Sequence, residues 1–178
     1  NLMLDLGGTI VSKASQPISE LNVFEHSTKD LKTVPIICYE TVYGEFVSKY
    51  TKKGGDFITI ISNDAWWGNT AGHKQLLSYA RLRAIENRRY IVRSANSGIS
   101  SIINHKGEIE SSLAYGKYGI LTGSAEKVSG KTFYSNYGDF IARISIFISI
   151  SMILILFVTS NKKFNYTTPL DSPLRYDS

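Results

Sequence analysis

The sequence predicts an α/β domain whose sheet mixes parallel and antiparallel strands, followed by one membrane-spanning helix. Three observations predict it. Two short apolar runs, residues 34–38 and 57–61, read as buried strands. A segment of helical periodicity follows each of them, and further strand-like runs come after. A stretch at 144–158 then carries no charge and no Pro or Gly.

Residues 1–33 are polar and turn-rich, with Gly7-Gly8 and Pro17, and read as a connecting excursion with one or two short strands. Val34-Pro35-Ile36-Ile37-Cys38 is the first buried strand. A helix is expected over 40–53, because Val42, Phe46 and Tyr50 recur every fourth position and Gly54-Gly55 supplies a stop. Phe57-Ile58-Thr59-Ile60-Ile61 is the second strand, rich in β-branched residues, and leads into a loop at 63–69. A second helix is expected over 71–89. Leu76, Leu77, Ala80 and Ala84 form one stripe, and the alanines let it lie close on a sheet. Arg83 and Glu86, three apart, can pair on its surface. Strands are expected at 90–95, 98–104, 108–112 and 119–125, with His105-Lys106-Gly107 as a hairpin turn.

Residues 140–158 would span about 28 Å as a helix, close to the hydrocarbon thickness of a bilayer. Arg143 can snorkel to the headgroups. The expected organisation is therefore a domain at 1–139, a transmembrane helix at 140–158 and a polar tail at 159–178 without regular structure. Lys162 and Lys163 at the end of the span place the tail in the cytoplasm and the domain outside. The chain starts at Asn1, without a methionine or a charged-then-apolar leader, and reads as the C-terminal portion of a longer protein.

Among 178 residues, 43% are apolar and 20% charged, a composition that supports a packed core. The net charge of +5 comes from scattered basic residues, which read as a solvated surface, and no nucleic-acid motif is present. A mild attraction to anionic lipid is compatible with it. The single cysteine, Cys38, allows no internal disulfide and no zinc cluster. His26, His73 and His105 share no ligand spacing, so neither metal nor cofactor is implied.

Cys38 ends a strand and opens a helix. Free backbone N–H groups and the positive end of the helix dipole there would favour negative charge on sulfur. The N–H of Tyr39 would face an oxyanion formed on an attacked carbonyl. The alternative is a buried cysteine acting as a small hydrophobe.

Four blocks occur in order: Pro35-Ile36-Ile37-Cys38-Tyr39-Glu40, Asn63-Asp64-Ala65-Trp66-Trp67-Gly68, Ala80-Arg81-Leu82-Arg83-Ala84-Ile85-Glu86 and Arg93-Ser94-Ala95-Asn96-Ser97-Gly98-Ile99-Ser100. Together they resemble the carbon–nitrogen hydrolase (nitrilase) superfamily. With a membrane helix directly behind the domain, they most resemble its bacterial apolipoprotein N-acyltransferase branch. The resemblance covers about 34–158. It implies a nitrilase-type four-layer α-β-β-α sandwich, of which this chain is the C-terminal part, and a Glu-Lys-Cys catalytic set.

Cys38 matches the nucleophile, and Tyr39 and Glu40 match the two positions after it. Neither the family's glutamate nor its lysine has a counterpart in residues 1–35, so the chain alone is expected to be inert. Glu40 either supports the site or favours the helix start. Trp66 and Trp67 either form a substrate-facing flap or pack their loop. Asn96 and Gly98 either line the pocket or make a plain turn.

The implied reaction moves a fatty acyl chain from a phospholipid donor, through a Cys38 thioester, to the diacylglyceryl-cysteine amine of an apolipoprotein. The implied location is the bacterial inner membrane, multi-pass in the full-length protein, with the catalytic domain periplasmic. Two rivals stand beside this reading: a membrane-tethered amidase acting on a small soluble amide, and a non-catalytic membrane-anchored binding module.

Overall fold

A computed structural model of the chain describes residues 22–165, with side chains described to residue 160. The expectations for residues 1–21 and for the tail beyond 165 lie outside the described residues. The described residues divide into two compact units between Gly138 and Asp139.

The first unit is built on one six-stranded sheet, in the order β1 (Phe24–Glu25), β2 (Lys32–Ile37), β3 (Phe57–Asn63), β4 (Tyr90–Asn96), β5 (Ser100–Ile103) and β6 (Ile109–Leu113). The strands β2, β3 and β4 are parallel, with Ile36 opposite Ile60 and Ile60 opposite Arg93. The pairs β1–β2, β4–β5 and β5–β6 are antiparallel. The mixed α/β sheet expected from sequence is therefore present. The two parallel crossovers are made by α1 (Gly44–Lys52) and α2 (Ala71–Asn87).

Side-chain alternation decides where the core lies. Val34 and Ile36 of β2, Ile58 and Ile60 of β3 and Ile91 of β4 are all buried on one face. They pack with Val47 and Tyr50 of α1 and with Leu77, Ala80 and Ala84 of α2. The two alanines are fully buried, and with no side chain beyond Cβ they let α2 approach the sheet closely. The described residues thus supply one sheet and a helical layer on one of its faces. On the other face Ile37 and Ile61, 63% and 66% exposed, form an apolar surface with Phe24. A strand that is apolar on both faces belongs in the middle of a layered fold rather than at its surface.

Several boundaries differ from the sequence expectations, each for a local reason. The first strand stops at Ile37, because Cys38 turns into the left-handed region with φ 51°. The helix expected over 40–53 is two pieces, a 3₁₀ turn at Cys38–Val42 and then α1. Tyr43 between them is extended, with φ −90° and ψ 94°. The Thr41 hydroxyl donates to the Cys38 carbonyl at 2.8 Å, a local bond of the kind that competes with a regular helix. The second helix ends at Asn87 rather than Arg89, since Arg88 adopts a left-handed cap.

Residues 119–125 form no strand. Gly123 lies flat on Ile102 of β5, so close that a Cβ would come within 2.4 Å of its side chain, and the segment covers the sheet instead of extending it. The short helix α3 (Phe133–Tyr137), capped by Thr132, had no periodic signal long enough to predict it. The Arg83–Glu86 pair forms at 3.0 Å, but Arg83 is buried and Glu86 largely covered, at 14% exposure, instead of lying on the surface.

The second unit contains α4 (Phe140–Asn165). Within it, Phe140–Ser160 has the length and composition of a membrane span, with a mean hydropathy of 2.5. The helix continues past residue 158, so the first residues assigned to the tail are helical. Ser149, Ser151 and Thr159 donate back to carbonyls one turn earlier at 2.8–2.9 Å, which satisfies their hydroxyls without water.

Candidate active site

The C-terminal ends of β2, β3 and β4 lie side by side, and the chain leaves each through a polar turn. That edge is where an open α/β sheet places its ligands. Cys38 sits at the first of these exits, half-buried and in a left-handed conformation. A non-glycine residue held there costs about 1–3 kcal/mol, and such residues cluster where a side chain must be presented at a sharp turn. The same strand-to-turn geometry presents nucleophiles in other α/β folds.

Glu40 holds this turn shut. Its Oε2 accepts from the N–H of Ile37 at 2.8 Å, so the residue two after the cysteine ties back to the residue before it. This is the capping-box contact that starts the 3₁₀ turn. Glu40 also borders a cavity of about 350 Å³ lined by Phe24, Ile37, Tyr50 and Ile61 among others. Burial, and then the Glu40 carboxylate, push the Tyr50 phenol above its ordinary range. Tyr39 is 53% exposed and packs edge-on against Tyr43.

One sequence argument needs correction. Cys38 opens a five-residue 3₁₀ turn, not the α-helix, which starts only at Gly44. Any dipole acting on the sulfur is therefore that of a short turn, because the macrodipole grows only with aligned peptide units.

The second exit carries Trp66 and Trp67 in a 3₁₀ turn, Ala65–Trp67. Trp66 is exposed. Trp67 lies against the backbone of Gly72 at the start of α2, where a Cβ would come within 2.5 Å of its ring. Both indoles are exposed, Trp66 at 58% and Trp67 at 42%, and Trp67 also touches the start of α2.

At the third exit the Asn96 carbonyl accepts from the Asp64 N–H at 3.1 Å, and Asn96 Nδ2 donates to Asn63 Oδ1 at 3.3 Å. Gly98 lies against the Asp64 carboxylate so closely that a Cβ would come within 2.1 Å of Oδ2. Asn96 and Gly98 are thus brought to the loop that follows β3 and buttress it.

Three polar residues at this edge carried no role in the sequence reading: Ser62, Asp64 and Arg93. Asp64 Oδ2 pairs with Arg93 Nη2 at 2.6 Å, and both side chains are fully buried. Ser62 lies between them and the cysteine, 2.5 Å from Asp64 Oδ1 and 3.6 Å from Cys38 Sγ. A signal existed: Arg93 and Ser62 occupy the helix-facing register of strands that are otherwise apolar there. Among the described residues no group of three or more His, Cys, Asp and Glu side chains could hold a metal ion.

Fold and site together define an α/β protein of the nitrilase type, with a cysteine presented at a tight turn on the C-terminal edge of a mixed sheet. The carbon–nitrogen hydrolase model matches residues 8–127, more than half of the chain, and the chain belongs to that family. The match begins upstream of Val34 and stops before the apolar helix, so its extent differs from the 34–158 expected from the motifs. Apolipoprotein N-acyltransferase 2 of Leptospira interrogans is 39% identical over 125 residues, covering 66% of this chain and 20% of that protein. Apolipoprotein N-acyltransferase of Geobacter metallireducens is 36% identical over 107 residues, covering 60% and 20%. The chain thus spans about a fifth of the length of these curated relatives. Nit3 of Saccharomyces cerevisiae, a member of branch 10 of the nitrilase superfamily, superposes with a TM-score of 0.47 at 21% identity, covering 60% of this chain and 41% of that one.

Proposed function

We propose that this chain is the nucleophile-bearing part of a membrane N-acyltransferase. It would move a fatty acyl chain from a phospholipid to the N-terminal diacylglyceryl-cysteine amine of an apolipoprotein. The observation that carries the reading is the placement of the one cysteine at a left-handed turn on the sheet edge, inside a segment 39% identical to a protein of that name. In the first half-reaction the Cys38 sulfur bonds to the ester carbonyl carbon and the carbon–oxygen ester bond breaks. The lysophospholipid leaves with the proton that the thiol gave up. In the second, the acceptor amine bonds to the thioester carbon, the carbon–sulfur bond breaks, and a proton from the amine returns to the sulfur. The Tyr39 N–H supplies one oxyanion contact. The base and the cation are the roles of the family's glutamate and lysine.

The test is to incubate the protein in its native membrane with phosphatidylethanolamine–phosphatidylglycerol vesicles and no acceptor. An acyl group should accumulate on Cys38 and be released by hydroxylamine as a thioester. If Cys38 stays free while soluble amides are hydrolysed, the acyltransferase reading gives way to an amidase.

The same reading places α4 across the inner membrane of a multi-pass protein, with the domain in the periplasm, where acyl donor and lipoprotein acceptor share the bilayer surface. A reporter that works only in the cytoplasm should be active when fused after Ser178, and one that needs export should be silent. The reverse pattern would overturn the orientation.

A further inference from the structure

The residues that the reaction above does not use form a connected set behind the nucleophile. β3 carries Ser62 on the same face as Ile58 and Ile60, 5% exposed, with its hydroxyl between Cys38 and Asp64. A hydroxyl has a single proton to donate. The Asp64 oxygen is 2.5 Å away and belongs to a buried ion pair, whereas the sulfur is 3.6 Å away. The proton therefore goes to the carboxylate, where the bond is charge-assisted. That leaves the Ser62 oxygen in contact with the sulfur at 3.6 Å, held there by the carboxylate.

The far end of the set is equally fixed. Arg93 holds Asp64 with one guanidinium nitrogen and donates to the Ile99 carbonyl with another. The Asp64 N–H donates to the Asn96 carbonyl, and the carboxylate fills the space that a Cβ on Gly98 would need. The orientation of one hydroxyl is thereby set by two strands and the loop that joins β4 to β5.

We infer that Ser62 is a positioning residue that fixes the rotamer of the Cys38 thiol, with Asp64 and Arg93 holding Ser62 in place. The inference rests on Cys38 being the acyl-carrying nucleophile. A thiol on a turn samples several staggered rotamers unless a contact selects one. Attack on a carbonyl requires the sulfur within reach and in line, and a misplacement of about 1 Å costs roughly a hundredfold. A small diffusing alkylating agent needs no such alignment.

The experiment compares wild type, Ser62→Ala and Ser62→Thr in the native membrane. Acylation of Cys38 is measured by peptide mass with p-nitrophenyl butyrate and, separately, with the phospholipid vesicles; alkylation by iodoacetamide is measured alongside. Ser62→Ala should lower acylation by both donors roughly 10- to 100-fold. The half-saturating donor concentration and the alkylation rate should stay at the wild-type values. Ser62→Thr, which keeps the hydroxyl, should recover most of the rate. Equal acylation in Ser62→Ala and wild type overturns the inference. So does a loss that alkylation mirrors, or one that Ser62→Thr does not relieve, since either marks a general structural role. If wild-type Cys38 is acylated by the p-nitrophenyl ester but not by lipid, the proposed substrate falls and the Ser62 comparison on that ester still decides. If neither donor acylates Cys38, both readings fall.

Discussion

Cys38→Ala in the full-length enzyme is expected to abolish acyl transfer, on the order of a 10⁶-fold loss, as removal of an activated nucleophile does in other covalent enzymes. The size follows from the chemistry. Without the sulfur there is no thioester, and the direct attack of the acceptor amine on a phospholipid ester must proceed with nothing to divide the barrier. The fold should survive, because the contacts that shape the turn do not use the thiol. Ile37 N–H still donates to Glu40, and the Thr41 hydroxyl still donates to the carbonyl of residue 38. A companion substitution separates chemistry from strain. Cys38→Gly should be equally inactive yet more stable than Cys38→Ala by about 1 kcal/mol, because φ 51° is strained for alanine and free for glycine. Transfer activity is read with labelled phospholipid and a diacylglyceryl-cysteine peptide, and stability by urea-dependent proteolysis in detergent micelles. Activity in Cys38→Ala would end the nucleophile assignment. Equal midpoints for the two variants would end the strain argument.

How far the sequence reached is best seen at that turn. Val34-Pro35-Ile36-Ile37-Cys38 shows a continuous apolar run and hence a buried strand, but not that the strand stops one residue earlier, at Ile37. It does not show that residue 38 turns left-handed, because backbone handedness at one cysteine is imposed by what Glu40 and Thr41 bond to. The helix stripe of Leu76, Leu77, Ala80 and Ala84 was readable for the same reason as the strands. Arg83 and Glu86 were readable as a pair by spacing, but not as one shielded from solvent, because what covers them arrives from far along the chain. Thr132 donates to the Glu86 carbonyl from the segment that leads into α3. The non-strand at 119–125 is a related case. Its composition suits a strand, and only the contact of Gly123 with Ile102 shows that it lies across the sheet.

Site residues divide along the same line. Cys38, Tyr39 and Glu40 are contiguous and could be read together. Ser62, Asp64 and Arg93 come from two strands and a loop, and their convergence depends on the parallel register that sets Ile60 opposite Arg93 and Ser62 opposite Ala95. A charged residue in the core-facing register of an apolar strand was the available clue. A buried arginine needs a partner, and the nearest acid beyond the neighbouring strand is Asp64.

Arg93→Ala is accordingly expected to cost about 3–5 kcal/mol of domain stability. Asp64 is fully buried, so it would keep its desolvation penalty and lose its counter-charge. The Ser62 hydroxyl and the Asn96 carbonyl bond would remain, but neither supplies charge. Arg93→Lys should recover only part of the loss, since one ammonium cannot span both the Asp64 carboxylate and the Ile99 carbonyl as the guanidinium does. The pair Asp64→Leu with Arg93→Met removes both charges together and should be less destabilised than Arg93→Ala, because a buried ion pair costs most when only one partner is lost. A surface pair gives the contrast. Glu25→Ala breaks a bridge from the exposed Glu25 to Lys32 and should leave the midpoint nearly unmoved. The measurement is the same urea-dependent proteolysis, with unchanged slope confirming that stability and not compactness has altered. Should Arg93→Ala unfold at the wild-type midpoint, the Asp64–Arg93 pair would not be the fixed anchor of the sheet edge. The double substitution has a second use. It keeps the edge packed while removing the charge that claims the Ser62 proton, so a drop in Cys38 acylation at near-native stability would trace the effect to the hydroxyl's orientation and not to a loosened fold.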